Sequence, residues 1–263
     1  MRTIAITGAA SGIGAAVAAR LSGRGERVLT VDLRDAEVVA DLGTPAGREH
    51  AAGELTRLSG GRLDGVVTSA GLAGTRHAPA APVVSVNYFG TVTLLDALRP
   101  ALAGGDRPAA VCLSSNSATC QPNWPVELAE ACLAGDERAA CALADEHGGL
   151  AAYPATKAAV AWYVRGHAPG AGWAGAGIRL NAVAPGFVDT PMTARVREDP
   201  DLAAALDAFP VPRQAPGTPE EVAAVVDFLL GPDAALLYGS VVYADGGTDA
   251  LLRARDWPRV WSV

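Results

Sequence analysis

The sequence predicts an α/β fold with a doubly wound parallel sheet, and three observations support this prediction. Half of the 263 residues are apolar, which suffices for a sizeable buried core. Short apolar runs of strand length alternate with helical segments along the chain. A glycine-rich turn joins the first strand to the first helix. Strands that alternate with helices form a parallel sheet with helices on both faces.

Six apolar runs have the length and composition of buried strands. They are residues 3–7, 28–31, 65–68, 110–113, 178–183 and 241–244. An alanine-rich helix is predicted over residues 15–21, directly after the glycine-rich turn. The sequence contains no internal repeat and no linker, so residues 1–263 are expected to form a single domain whose crossovers are right-handed.

Two longer segments interrupt this alternation. Residues 120–149 follow a strand, and residues 126–147 within them have helical composition with a break at Gly135 and Asp136, which predicts an inserted helical pair. Residues 189–214 are rich in proline and charge and contain a helix-like run at 201–208. Because long excursions in a compact domain are usually lids or binding loops, we expect a substrate lid there.

The composition argues against several kinds of partner. The net charge is −7 and the isoelectric point is near 5.1, without a basic patch, which argues against nucleic acid and anionic membranes. The four cysteines form no C-x-x-C pair and no cluster with histidine, so neither a metal site nor a disulfide framework is predicted. The first apolar run ends at Gly8, which is too short for a signal segment or a membrane span. We therefore expect a cytoplasmic protein.

Three glycines follow the first strand, in the segment Thr7-Gly8-Ala9-Ala10-Ser11-Gly12-Ile13-Gly14. Glycine allows a tight turn and a close approach of the backbone to a pyrophosphate, which the free N–H groups of the following helix stabilise. The spacing G-x-x-x-G-x-G is one residue wider than the G-x-G-x-x-G fingerprint. The segment predicts a dinucleotide-binding turn of Rossmann type. A flexible turn without a ligand is the alternative.

Asp32 strengthens this prediction. It ends the second strand about 20 residues after the glycines, where a carboxylate accepts hydrogen bonds from an adenosine ribose. The carboxylate favours NAD over NADP because it would repel a 2′-phosphate, although Arg34 could partly compensate. The alternative is that Asp32 only caps a turn.

Tyr153 and Lys157 are the candidates for the chemistry. Lys157 is the one lysine among 21 basic residues, which indicates a site that the wide guanidinium fork of arginine does not fit. Pro154 is expected in the first turn of a helix, with Tyr153 at its start and Lys157 on the same face. A nearby ammonium would stabilise the phenolate and allow proton exchange with an alcohol or ketone. The alternative is chance, because such spacing is common on helices.

Together these features resemble the short-chain dehydrogenase/reductase family over nearly the whole chain. The matching motifs are residues 7–14, the Ser69-Ala70-Gly71 turn, Asn87, Ser114-Ser115, Tyr153 with Lys157, and Pro185-Gly186 followed by Thr190. Residues 32–41, 84–90 and 245–250 and the helical insertion are similar to its bacterial 3α-hydroxysteroid dehydrogenase/carbonyl reductase branch. The resemblance implies an NAD(H)-dependent oxidoreductase that interconverts a secondary alcohol and a ketone.

The resemblance also implies the role of each site residue. Tyr153 is the general acid/base, Lys157 lowers its pKa and binds the nicotinamide ribose, Ser115 hydrogen-bonds the substrate carbonyl, and Asn87 holds a water of a proton relay. The residues implied for NAD are Gly8, Ser11, Gly12, Ile13, Asp32, Asp41, Leu42, Ala70, Gly71, Tyr153, Lys157, Pro185, Val188 and Thr190. Taken singly, Ser115 and Asn87 could be loop or capping residues, and Asp41 a helix cap.

Two features depart from the family pattern. The usual Asn-Ala-Gly turn is Ser69-Ala70-Gly71 here, so the bracing of the neighbouring strand is expected to differ. Between Ser115 and Tyr153 lie 37 residues, far more than in most members of the family. The assignment of Ser115 therefore depends on the insertion looping out, and Ser114 and Ser117 are the alternatives.

Apolar side chains near these motifs predict a hydrophobic substrate, such as a steroid or another polycyclic compound. The candidates for the pocket lining are Trp124, Phe187, Met192 and Phe209, and ordinary core packing is their alternative role. Related enzymes form dimers or tetramers through helices that flank the site. The insertion lies close to one such helix, so we expect a homodimer.

Two other functions fit parts of the sequence. A tailoring ketoreductase or dehydrogenase of secondary metabolism would use the same site, because the reaction runs in both directions. A regulator that senses NAD and NADH without turnover is the alternative from another class. Such regulators usually lose the tyrosine and lysine pair, which this chain retains as Tyr153 and Lys157.

Overall fold

The computed structural model describes residues 1–76 and 79–256, so the last seven residues of the predicted domain lie outside the described part. The strands are β1 (Thr3–Thr7), β2 (Arg27–Asp32), β3 (Val38–Val39), β4 (Gly65–Thr68), β5 (Ala109–Leu113), β6 (Arg179–Pro185) and β7 (Val241–Ala244). They form one parallel sheet in the order β3-β2-β1-β4-β5-β6-β7. The predicted doubly wound sheet is confirmed.

The strand register explains where a ligand would bind. Thr7 of β1 pairs with Val31 of β2 on one side and with Thr68 of β4 on the other. The strand order therefore reverses at β1, and ligands of doubly wound sheets bind at the carboxyl ends of the strands at this point. Each of the six predicted strands is present, with ends shifted by at most two residues. The two-residue β3 is too short to form a recognisable apolar run.

Helices connect the strands and cover both faces. In chain order they are α1 (Gly12–Gly23), α2 (Pro45–Leu58), α3 (Ala81–Val84), α4 (Gly90–Ala103), α5 (Ser117–Cys120), α6 (Val126–Leu133), α7 (Glu137–His147), α8 (Gly149–His167), α9 (Pro191–Val196), α10 (Pro200–Ala208), α11 (Pro219–Leu230) and α12 (Thr248–Leu252). A π-helical turn, Ser85–Phe89, joins α3 to α4. Buried residues of α2, α4 and α8 form one core cluster, and those of α1 and α11 form the other.

One helical stretch in the described residues, Ala81–Ala103, is long and apolar enough to cross a membrane by length and composition. More than half of its apolar window is buried inside the protein. Leu94, Leu98 and Leu102 of α4 are fully buried against the sheet. The stretch is therefore packed as a core helix in this fold.

The insertion before Tyr153 forms the predicted helical pair. Helices α6 and α7 are separated by a turn at Gly135, whose φ is +76°. Arg48 of α2, whose side chain is 3% exposed, donates two hydrogen bonds to the carboxylate of Glu137 at 2.9 and 2.8 Å. This buried ion pair ties the start of α7 to the main body of the protein.

The predicted lid segment contains α9 and α10, and α10 includes the predicted helical run at 201–208. Arg76, in the loop after β4, faces α10 across the site. Its guanidinium nitrogens lie 3.9 Å from the Asp199 carboxylate and 3.8 Å from that of Asp201. The start of α10 is therefore paired by charge with the loop on the opposite side.

The prediction that Pro154 lies in the first turn of its helix is wrong. Helix α8 begins at Gly149, four residues before Tyr153, so Pro154 lies inside it. Proline lacks the N–H that would normally bond the carbonyl of Leu150. The side-chain amide of Gln121 donates to that carbonyl instead, at 2.8 Å. A tertiary contact thus permits a proline that local rules would exclude.

Candidate active site

The loop after β5 and helix α8 bring the predicted catalytic residues together. The Ser115 side chain lies beside that of Tyr153, close enough for the two hydroxyls to interact. The other two serines are placed differently: Ser114 donates its hydroxyl to the main-chain oxygen of Lys157 at 2.8 Å, and the Ser117 hydroxyl has no partner among the described residues. Ser115 is therefore the serine that meets Tyr153, and the insertion does loop out between them.

Lys157 lies beneath this pair and is 5% exposed. Its ammonium donates to the main-chain oxygen of Leu113 at 2.8 Å and lies 5.8 Å from the centroid of the Tyr153 ring. Burial lowers the pKa of Lys157 to about 8. Burial raises the pKa of the Tyr153 hydroxyl, and only the interaction with Ser115 opposes this rise. The expected lowering of the tyrosine pKa by Lys157 is therefore not found in this geometry.

Asn87 braces the loop after β4 from the π-helical turn. Its amide oxygen accepts the N–H of Leu72 at 2.7 Å, and its amide nitrogen donates to the Leu72 oxygen at 3.0 Å. The nitrogen also lies 3.5 Å from the Thr156 hydroxyl. The side chain is fully buried and is used for bracing. The relay role of Asn87 stays a prediction.

Gly71 marks the point where several site residues meet. A Cβ built on it would lie 3.3 Å from the amide oxygen of Asn87, 3.7 Å from the ammonium of Lys157 and 3.8 Å from Cε of Met192. A side chain here would occupy the space between α9 and α8. The structure therefore places Gly71, Asn87 and Lys157 around one point, with Met192 of α9 opposite.

Packing explains the glycines of the first loop. Gly8 has a φ of +69°, and a Cβ on it would lie 2.6 Å from the main-chain nitrogen of Ala70. A Cβ on Gly14 would lie 2.1 Å from the carbonyl oxygen of Gly8. Side chains at these positions would therefore collide with the backbone, whether or not a ligand is bound.

The start of α1 suits an anion. Ser11 is the N-cap of α1, but its side chain makes no capping hydrogen bond. The first N–H groups of a helix, here those of Gly12 and Ile13, have no acceptor within the helix, and the helix dipole adds a partial positive charge. The first turn of α1 carries no acidic residue. These donors fit the pyrophosphate of a dinucleotide.

Asp32 ends β2 beside this loop. Its carboxylate accepts the N–H of Ala10 at 2.9 Å and that of Leu33 at 2.7 Å, so it also shapes the glycine-rich turn. Asp41 accepts the N–H of Gly43 at 2.9 Å, whereas the N-cap of α2 is Thr44. Asp41 is therefore a turn residue and does not cap the helix.

Other predicted cofactor residues have structural contacts as well. Leu42 is buried in the core. The main-chain oxygen of Pro185 accepts the N–H of Asn116 at 2.9 Å. The oxygen of Val188 accepts the Thr193 hydroxyl at 2.8 Å. Thr190 caps α9, and a Cβ built on Gly12 would lie 3.6 Å from Thr190 Cβ, so α9 begins beside the N-terminus of α1.

Comparison with known proteins agrees with this geometry. Residues 2–126 match the family model for short chain dehydrogenase, and residues 137–249 match one described as enoyl-(acyl carrier protein) reductase. The chain is 40% identical to the 3-alpha-hydroxysteroid dehydrogenase/carbonyl reductase of Comamonas testosteroni over 96% of this chain and 98% of that protein. The chain belongs to the short-chain dehydrogenase/reductase family.

Two further relatives show how far the similarity extends. The solved 3-alpha-hydroxysteroid dehydrogenase from Pseudomonas sp. B-0831, complexed with NADH, shares 45% identity and a TM-score of 0.92, with 96% of this chain and 99% of that chain covered. The galactitol 2-dehydrogenase (L-tagatose-forming) of Cereibacter sphaeroides is 34% identical over 92% of this chain and 93% of that protein. As a member of the short-chain dehydrogenase/reductase family, the chain is a nucleotide-binding oxidoreductase that acts on alcohol and ketone groups.

The insertion is where this short-chain dehydrogenase/reductase differs from the general family models. The two matched segments leave residues 127–136 uncovered, and these residues form most of α6 and the turn before α7.

The Ser69-Ala70-Gly71 turn is the other departure from the family pattern. The N–H groups of Ser69 and Ala70 both donate to the Thr7 hydroxyl at 3.1 Å. The loop after β4 is thus braced from β1.

The four residues predicted to line a pocket lie in different surroundings in the structure. The Trp124 ring packs 5.7 Å from that of Trp162, and its indole N–H donates to the Ala118 oxygen at 3.1 Å, so it belongs to the packing of the insertion. Phe187 lies 5.2 Å from the Arg197 guanidinium and lines a cavity of about 440 Å³ between the lid segment and β7. Phe209 ends α10 and is half-buried. Met192 approaches the predicted site: a Cβ built on Gly71 would lie 3.8 Å from its Cε.

Gln121 is the site residue that sequence reasoning missed. It contacts the turn of α8 that carries Tyr153, through the carbonyl of Leu150. A proline inside a helix signals that a carbonyl needs a donor from elsewhere. That signal was concealed by the assumption that α8 begins near Tyr153.

Proposed function

We propose that this enzyme interconverts a secondary alcohol and a ketone with NAD(H), and that Tyr153 is its general acid/base. The observation that supports this most directly is the cluster in which Ser115 lies beside Tyr153 and the buried ammonium of Lys157 lies 5.8 Å from the centroid of the Tyr153 ring. A regulator that binds NAD without turnover would not need this buried cluster. The retained residues therefore favour the enzyme.

The residues at the start of α1 and the end of β2 fit NAD. The N-terminus of α1 offers free donors for the pyrophosphate, and Asp32 offers a carboxylate for the adenosine ribose. The structure of a relative at 45% identity is a complex with NADH, which supports the same choice. When bound, the nicotinamide supplies or accepts the hydride.

The protein residues then manage the proton. In reduction, the Tyr153 hydroxyl donates its proton to the substrate carbonyl oxygen as the carbonyl carbon is reduced. The Ser115 hydroxyl hydrogen-bonds the same oxygen and stabilises the charge that develops on it. The Lys157 ammonium lies close to Gly71, where it can hold the nicotinamide ribose and favour phenolate in the oxidative direction.

The substrate proposed is a hydrophobic cyclic alcohol or ketone of steroid-like or polycyclic type. The relatives named for 3-alpha-hydroxysteroids support it, and Met192 provides an apolar wall beside the site. A polyol is the second candidate, because a relative at 34% identity is named for galactitol. A tailoring step in secondary metabolism would use the same residues.

The test is a panel of steroid, monocyclic and sugar alcohols, and the matching ketones, followed by NADH absorbance and fluorescence. We expect turnover of cyclic substrates, with NADH preferred over NADPH. Tyr153→Phe should lose at least a thousandfold in kcat while its affinity for NADH stays within about threefold, because the phenol acts on the proton and not on cofactor binding. Turnover of sugar alcohols alone would overturn the substrate class, and an active Tyr153→Phe would overturn the mechanism.

We expect the enzyme to be a cytoplasmic homodimer. Buried Leu128 of α6 and Ala140 of α7 belong to the same core cluster as α8, so the insertion covers part of that helix. A covered helix cannot offer the same surface to a partner subunit as an uncovered one. Light scattering coupled to size-exclusion chromatography at micromolar concentration should give twice the mass of the chain, and a monomer mass would contradict this.

A further inference from the structure

Gln121, the first residue after α5, contacts the helix turn that carries Tyr153. We infer that Gln121 is a positioning residue, which holds this turn by replacing the N–H donor that Pro154 lacks. The inference rests on the proposed function for its activity readout. It concerns a residue outside the tyrosine and lysine motif and outside the site residues that the sequence predicts.

The carbonyl of Leu150 is the acceptor in question. In α8 the Gly148 carbonyl accepts the N–H of Ala152, four residues later, at 3.0 Å. The corresponding partner of Leu150 would be residue 154, which is proline and has no N–H. The proline ring also pushes this carbonyl away from the helix axis, which exposes it to a donor from outside.

Gln121 is held in place to supply that donor. Its side-chain nitrogen lies 2.8 Å from the Leu150 oxygen. Its own main-chain N–H donates to the Ser117 oxygen at 3.1 Å, so its backbone is fixed to α5. The half-buried amide therefore spans two segments, one that follows Ser115 and one that leads into Tyr153.

A second contact limits the movement of the same turn. A Cβ on Gly74 would lie 2.0 Å from the Gly149 oxygen and 2.9 Å from Cβ of Tyr153, so the loop after β4 packs directly against the start of α8. With that side closed, an unpaired Leu150 carbonyl would relax toward Gln121. Such a shift would change the distance between the hydroxyls of Tyr153 and Ser115.

A second substitution, at Pro154, can test the inference by restoring the hydrogen bond that a Gln121 variant loses. Gln121→Leu removes the donor, and Pro154→Ala restores the helical N–H to the Leu150 carbonyl. We expect Gln121→Leu to lower kcat at least tenfold, with the dissociation constant for NADH unchanged within twofold. The double variant Gln121→Leu/Pro154→Ala should match Pro154→Ala alone. Gln121→Glu, which keeps the shape and lacks the donor, is the isosteric control and should be impaired like Gln121→Leu.

A measurement without substrate separates this inference from the proposed function. The pKa of Tyr153 is read by NMR of tyrosine labelled at Cζ in the NAD-bound enzyme, with Tyr153→Phe assigning the signal. Gln121→Leu should shift this pKa by at least half a unit, and the double variant should restore the value of Pro154→Ala. If the wild type turns over nothing on the panel, the proposed function fails and this titration still decides the role of Gln121.

Three outcomes would overturn the inference. One is a Gln121→Leu or Gln121→Glu enzyme with the kcat and Tyr153 pKa of the wild type. Another is a double variant that stays as impaired as Gln121→Leu while Pro154→Ala is active. The third is a rise in the dissociation constant for NADH that accounts for the whole loss of activity.

Discussion

Replacing Lys157 by methionine removes a buried ammonium, and the structure predicts how the stability of the two proteins differs with pH. Lys157 is 5% exposed, and its charge has one neutral acceptor, the Leu113 oxygen at 2.8 Å. Methionine is similar in length and carries no charge. The variant should lose activity yet be at least as stable as the wild type at pH 7.

The magnitude follows from the lysine pKa, which folding lowers from 10.5 to about 8 because the ammonium is buried. At 1.36 kcal/mol per unit, this shift corresponds to about 3 kcal/mol. Between pH 8 and pH 10.5 the unfolded chain keeps a proton that the folded protein has released, so the wild type gains stability as the pH rises through this window. At pH 7 the variant avoids the cost of burying an ammonium, but it also loses the hydrogen bond to Leu113. This loss offsets about 1.5–3 kcal/mol of the gain in stability.

Urea unfolding of both cofactor-free proteins at pH 7, 8, 9 and 10 measures this difference. The free energy of unfolding of the wild type should rise relative to that of Lys157→Met by about 2–3 kcal/mol between pH 7 and pH 10. Tyrosines and cysteines ionise in both proteins, so their contribution is removed by the subtraction. A difference between the proteins that stays constant over this range would refute the reasoning.

Three other predictions concern cofactor binding and the insertion. Gly14→Ala should weaken NADH binding at least tenfold in a fluorescence titration, because the added Cβ would lie 2.1 Å from the Gly8 oxygen. The control is Gly23→Ala in the same helix, whose Cβ would have no atom within 4 Å and which should bind NADH normally. Arg48→Ala should lower the free energy of unfolding by about 2–3 kcal/mol, because it breaks the ion pair between buried Arg48 and half-buried Glu137. The control Arg57→Ala removes an exposed ion pair and should change the free energy of unfolding by less than about 0.5 kcal/mol. Asp32→Ser should bind NADPH about tenfold more tightly and NADH more weakly, since it removes a carboxylate that repels a 2′-phosphate; unchanged NADPH affinity would contradict the role of Asp32.

Most of the fold and the central cluster could be predicted because local patterns encode them. Buried parallel strands are short apolar runs, and six of the seven strands were recognisable as such. The break at Gly135 correctly divided the insertion into two helices. The motifs also placed Ser115 and Tyr153 in one site, although 37 residues separate them in the chain.

The remaining features depend on tertiary contacts, which local patterns do not encode. The start of α8 was misplaced because the donor that allows Pro154 inside the helix comes from Gln121. Burial raises the pKa of Tyr153 in the structure, and how deeply the hydroxyl is buried depends on packing that the local sequence does not show. Trp124 is a candidate for the pocket lining by sequence, with ordinary packing as its alternative, and its ring packs against Trp162, a partner 38 positions away in the sequence.

The solitary, buried lysine has a consequence for covalent labelling of this protein. Acylating and reductive-alkylating reagents modify amines, and apart from the α-amino group of Met1 no amine competes with Lys157 for them, so the modification is located by peptide mapping. A pKa of about 8 leaves a substantial neutral fraction of this amine at mildly alkaline pH, so its reaction is limited by access and not by protonation. The rate at which a small reagent modifies the side chain would therefore report the opening of the site, and protection by a bound nucleotide would report its occupancy.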